Sequence, residues 1–163
     1  DVSSRTSVVL TKLIFREFLG FEPDWSDAAP DVDSMLARSD AALLIGDPAL
    51  RLSQAGPGRK VYDLAELWHQ HTGLGFVFAM WMTRRSSVPI DLAAARDEGV
   101  ARIDEISANY SSDTGLSRGE MNEYLTRNIS YSIDDRMMAG LELYFRLAAK
   151  HGLIAENRAL NFV

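Results

Sequence analysis

The run Ser3-Ser4-Arg5-Thr6-Ser7 is the densest group of chemistry-bearing side chains in the sequence. It stands directly before VVLTKLIFREFLG, where Val9, Leu10, Leu13, Ile14 and Phe18 recur at helical spacing. The first turn of a helix leaves N–H groups without intrahelical partners and carries about half a positive charge. Hydroxyls from Ser4, Thr6 and Ser7 add donors to that end, and Arg5 adds a fixed cation. Together they suit a carboxylate or a phosphate. The same residue types also serve as plain N-caps, so a purely structural role stays open. Gly46-Asp47 is the second candidate. It follows an apolar run, where glycine permits close backbone approach and Asp47 accepts a hydrogen bond from a ligand hydroxyl. The alternative is a simple turn in which Asp47 opens the next helix ahead of Pro48.

Other polar groups carry less. His69 and His71 are two residues apart and point roughly 200° apart on a helix, so they do not chelate one metal, and no metal site is expected. His151 beside Gly152 reads as a helix C-terminal residue, and Asp134-Asp135 as a helix start. The sequence contains no phosphate-binding loop, no dinucleotide fingerprint and no Gly-x-Ser-x-Gly elbow.

The elements that would position these groups alternate in the first half. A helix ending at Gly20 is followed by an extended stretch around Pro23, then a short helix opened by Asp31. Residues 41–45, Ala-Ala-Leu-Leu-Ile closed by Gly-Asp-Pro, read as a buried strand. A helical turn is expected over 49–52, a loop over 55–58, and a strand-like stretch over 61–64 leading into a helix that stops at Gly73. Phe76–Met82 reads as a second buried strand, apolar on both faces. Helices follow over 92–110, over 117–128 with Ser117 and Glu120 spaced as a capping box, and from Asp134 to about His151. Alternation of strands and helices predicts an α/β chain with a parallel sheet. A lone strand after residue 75 cannot form a sheet, so partner strands are expected from further sequence. The start at Asp1-Val2-Ser3, without Met or a signal-peptide pattern, gives the same expectation of a longer protein.

Composition bounds the function. The 163 residues suffice for a core without disulfides or metal. A net charge of −6 with no basic tract argues against a nucleic-acid partner. The absence of cysteine excludes disulfides, Cys-ligated zinc and thiol catalysis. No apolar run reaches the roughly 18 residues of a membrane span, so no membrane partner is expected.

Several stretches in order resemble one family. They are Asp1-x-Ser3-Ser4-Arg5-Thr6-Ser7; Ser39-Asp40-Ala41-Ala42-Leu43-Leu44-Ile45-Gly46-Asp47-x-Ala49-Leu50; Asp63-Leu64 with Trp68; Thr72-Gly73-Leu74; Phe76-Val77-Phe78-Ala79-x-Trp81; and Asn128-Ile129 through Leu143. The family is MqnA, the chorismate dehydratases of the futalosine route to menaquinone. The Ser-Ser-Arg-Thr-Ser start points to this branch over the related naphthoate-synthase branch. The resemblance implies a two-lobed, periplasmic-binding-protein-like (type II) α/β fold. Residues 1–75 would form lobe two, and 76–163 the returning part of lobe one, with a missing N-terminal part completing that lobe. Gly75 stands where the family usually has proline, which suggests a looser hinge.

The resemblance also implies a lyase acting on chorismate, a dianion, to give 3-[(1-carboxyvinyl)oxy]benzoate in the cytoplasm. The implied dehydration calls for no redox cofactor or metal. Ser4, Arg5, Thr6, Ser7, Gly46 and Asp47 are the implied substrate-binding residues, and no residue stands out as the general base. A non-catalytic module of the same fold, binding a small anion, is the alternative.

Overall fold

In a computed structural model of the chain, residues 1, 4–53, 58–156 and 160 are described. Ser3 and residues 55–57 of the loop expected over 55–58 lie outside them. Helix α1 (Arg5–Leu13) runs on into a π-helical segment, Ile14–Leu19, ended by Gly20 at φ 74°. Then come α2 (Val32–Leu36), α3 (Asp47–Ser53), α4 (Leu64–Thr72), α5 (Leu92–Ala101), α6 (Ile103–Thr114) and α7 (Arg118–Glu123). A second π-helical segment (Tyr124–Asn128) extends α7, and α8 (Asp135–Lys150) follows.

Local chemistry sets these boundaries. Side chains of Ser4, Asp31, Asp63, Asp91, Ser117 and Asp134 each accept a backbone N–H of the following first turn. Ser117 and Glu120 form the reciprocal capping box. The helix expected as one rod over 92–110 is instead two, because Arg102 leaves helical geometry at φ −110°, ψ 18°.

The α/β expectation is overturned. Among the described residues there is no strand and no sheet, so the two-lobed, periplasmic-binding-protein-like fold is not what this chain forms here. An apolar run specifies burial, whereas a strand also needs a neighbour to take its N–H and C=O groups. Residues 41–45 are irregular, and the Ile45 N–H donates to a carboxylate oxygen of Asp1 at 3.3 Å instead of to a ladder. The stretch at 61–63 is irregular and exposed, and Leu64 already belongs to α4. Phe76–Met82 is likewise irregular and is not covered on both faces: Trp81 is 67% and Met82 79% exposed.

The chain packs as two units, Asp1–Ala79 with Asp134–Ala159, and Met80–Ile133 with Leu160–Val163. In the first, Leu10, Leu13 and Ile14 pack with Trp68, Tyr144, Leu147 and Ala148. Phe76 meets Trp68 and Tyr144 edge-on, with centroids 5.5 and 5.2 Å apart. The Trp68 indole N–H donates to the Gly75 carbonyl at 3.1 Å. A Cβ at Gly140 of α8 would stand 2.0 Å from that same carbonyl oxygen, and one at Gly75 would stand 2.7 Å from the Met137 Cγ. Gly75 is therefore clamped between α4 and α8. In the second unit, α6 packs on α7, and Ile103, Leu116 and Met121 are buried.

Candidate functional site

The start of α1 is built from opposing demands. The Ser4 side chain takes the Ser7 N–H at 3.1 Å, so the cap is Ser4 and that amide is committed. Arg5 and Thr6 open the helix, and their N–H groups remain among the orphan donors of the first turn. Arg5 is exposed and Thr6 half-buried. Ser7 is only 2% exposed, and it is its backbone N–H, not its hydroxyl, that the cap engages. Its carbonyl accepts from the Thr11 hydroxyl at 2.8 Å.

Tyr144, absent from the sequence-based candidates, supports this end. Its hydroxyl donates to the Thr6 carbonyl at 3.4 Å, which ties α8 to the first turn of α1. Burial pushes the Tyr144 phenol up to about 12, so it stays neutral and acts as a donor. An aromatic at helical spacing signals core, and only the fold shows where its hydroxyl lands.

Gly46 and Asp47 lie near the same end of the first unit. Asp1 is largely buried, and its carboxylate holds the Ile45 N–H, which brings the chain just before Gly46 to the segment leading into α1. Gly46 has φ 65°, a left-handed conformation that favours glycine, and its carbonyl accepts from Ala49 and Leu50 N–H, both at 3.0 Å. Asp47 is the first residue of α3 and is exposed. Ser4, Thr6 and Ser7 thus gather at one helix end, with the 45–47 turn joined to that region through Asp1.

The histidines are spent elsewhere. His71 stacks on Phe18 at 4.6 Å, His69 Nδ1 lies 3.3 Å from the Leu74 carbonyl, and His151 Nε2 lies 2.6 Å from Glu17. Among the described residues no group of three His, Asp or Glu side chains could hold a metal ion.

Against known protein families, residues 1–150 match the model for menaquinone biosynthesis. The chain belongs to the menaquinone biosynthesis family. Relatives within reach of this family member include chorismate dehydratase of Thermus thermophilus, 32% identical over 161 residues, covering 86% of this chain and 58% of the relative. Chorismate dehydratase of Campylobacter jejuni is 39% identical over 56 residues, covering 34% of this chain and 25% of the relative. The chain of this menaquinone-biosynthesis family member therefore spans under two thirds of the length of the relatives it matches. No helix among the described residues is long and apolar enough to cross a membrane.

Proposed function

We propose that the protein is a lyase that dehydrates chorismate to 3-[(1-carboxyvinyl)oxy]benzoate on the futalosine route to menaquinone, in the cytoplasm. The observation that carries this reading is the match to the Thermus dehydratase across 86% of the chain. The reaction removes the ring hydroxyl and the ring hydrogen on the neighbouring carbon as water. Aromatisation of the ring drives it, and no electrons leave the substrate. What the protein must supply is position, anion binding and a path for the proton.

The start of α1 fits the anion-binding part. One substrate carboxylate would sit at the first turn, accepting from the Arg5 and Thr6 N–H groups and the Thr6 and Ser7 hydroxyls, with Arg5 contributing charge. Gly46 and Asp47 would face the ring hydroxyl. The net charge of −6 does not forbid a dianion, because exposed charges are screened beyond about 8–10 Å while these donors act at contact. On this reading residues 1–75 carry the binding site.

Further polypeptide of the same protein would complete the site and cover the exposed apolar side chains of Trp81 and Met82. The 58% coverage of the Thermus relative supports that completion. The test is incubation of the whole protein with chorismate and detection of the dehydrated product by mass spectrometry. Product is expected from the whole protein and not from residues 1–163 alone. Tight binding of chorismate without product would instead select the non-catalytic reading.

A further inference from the structure

Residues 67–90 contain no aspartate or glutamate, in a chain whose net charge is −6, and within them stands Arg84-Arg85-Ser86-Ser87-Val88. Of the serines and threonines in the sequence, Ser87 alone has arginine at both the third and the second position before it. The fold leaves this run within reach of another protein. From Gly73 to Asp91 the chain forms neither helix nor strand. Every residue from Trp81 to Ser87 is exposed, and Val88 is half-buried. The Thr83 hydroxyl accepts the Arg85 N–H at 3.0 Å, a bond inside the segment itself. Among the described residues neither guanidinium and neither serine hydroxyl has a partner.

These features meet the demands of an enzyme that modifies a serine in place. The acceptor has to be straightened in the enzyme's cleft, and here no helical turn and no strand pairing is broken by doing so. Drawn out at about 3.3 Å per residue, the segment sets Arg84 about 10 Å and Arg85 about 7 Å ahead of Ser87. Two cations at fixed offsets on one side of a hydroxyl give a cleft lined with carboxylates its register, and the arginine fork offers each carboxylate two bonds. Ser86 stands one residue out of that register.

We propose that Ser87 is the phosphate acceptor for an arginine-directed serine/threonine kinase. The Ser87 oxygen attacks the γ-phosphorus of a nucleoside triphosphate. The new P–O bond forms as the bond to the nucleoside diphosphate breaks, and the hydroxyl proton passes to a base of the kinase. The ester brings about −1.5 to −2 charges at neutral pH to the side of two arginines that have no other partner. The inference does not rest on the dehydration of chorismate: a protein without that activity would still show it.

The test is incubation of the whole native protein with magnesium ATP and, as the arginine-directed probe, the catalytic subunit of the cyclic-AMP-dependent protein kinase. Intact mass gives the stoichiometry, and fragment spectra give the position. One phosphate at Ser87 is expected, retained in Ser86→Ala and lost in Ser87→Ala. Arg84→Ala with Arg85→Ala should slow the transfer about tenfold or more, because hydrogen bonds to charged groups are lost. No incorporation into the native wild type would overturn the proposal whatever the variants do. So would phosphate found only at other residues, equal incorporation into Ser87→Ala, or an unchanged rate in the double arginine variant.

Discussion

At the scale of single residues, the start of α1 separates two roles that its sequence mixes. Ser4 is the cap, while Thr6 and Ser7 carry hydroxyls that the cap does not use. Ser4→Ala should therefore lower stability by about 0.5–2 kcal/mol. Thr6→Ala with Ser7→Ala should leave the melting temperature nearly unchanged and reduce kcat/KM of the whole protein roughly tenfold or more, since hydrogen bonds to a charged ligand are worth about 1.5–3 kcal/mol each. Backbone donors remain, so the loss should be incomplete. Unchanged kinetics with a lower melting temperature in the double variant would reduce Thr6 and Ser7 to structural residues. Ser107 in α6 makes the opposite case. It is 0% exposed, and its hydroxyl has no partner. A buried hydroxyl that satisfies nothing is a loss relative to water, and alanine is the better helix former. Ser107→Ala should raise the melting temperature by about 2–4 °C. A fall on calorimetry would mean that the hydroxyl does find an acceptor in solution.

At the scale of elements, two seams join distant parts of the first unit. One is electrostatic. Glu17, in the π-helical segment after α1, receives Lys150 Nζ at 2.8 and 2.9 Å and lies 2.6 Å from His151 Nε2 at the end of α8. The Lys150 hydrogen bond, then that of His151, holds the Glu17 carboxyl below its ordinary value. A carboxyl whose folded pKa is depressed adds stability that is fully present above its unfolded value of about 4.3 and is lost as pH falls through the folded one. Glu17→Gln should therefore be less stable than the wild type near pH 7 by about 1 kcal/mol, with the difference vanishing at strongly acidic pH. Parallel melting curves across pH check this, and a gap that persists or grows in acid would contradict it. The other seam is steric. Gly140 meets the Gly75 carbonyl so closely that any Cβ must displace one of them. Gly140→Ala should cost about 1–3 kcal/mol in urea unfolding, as overpacked contacts do. A midpoint equal to that of the wild type would show that the seam opens freely.

At the scale of the whole molecule, what the sequence reveals divides along the range of the interaction. Helices were legible because their signals are local. Asp31, Ser117 and Asp134 stand one residue ahead of their helices, and Gly20 and Gly73 stop theirs in left-handed geometry. The sheet was not, because pairing is a property of two segments. Leu43–Ile45 and Phe76–Phe78 announce apolar content, and nothing in either stretch says which chain, if any, takes its backbone hydrogen bonds. The break at Arg102 carries no proline to signal it. The candidate site was legible in part. Hydroxyls before an amphipathic helix marked the start of α1, but which serine caps and where the Tyr144 hydroxyl lands are read only from the fold.

The clamp on Gly75 also gives the protein a built-in optical gauge. Of the three tryptophans, Trp25 and Trp81 face solvent, while Trp68 is 0% exposed, and its indole N–H ends on the carbonyl that Gly140 crowds. A water-borne quencher such as acrylamide should darken the first two and spare the third, leaving a blue-shifted residual emission. That residual light reports whether α4 and α8 are still closed on the 74–75 turn. Ligand binding, acid or substitution at the seam can be followed through it without adding a label.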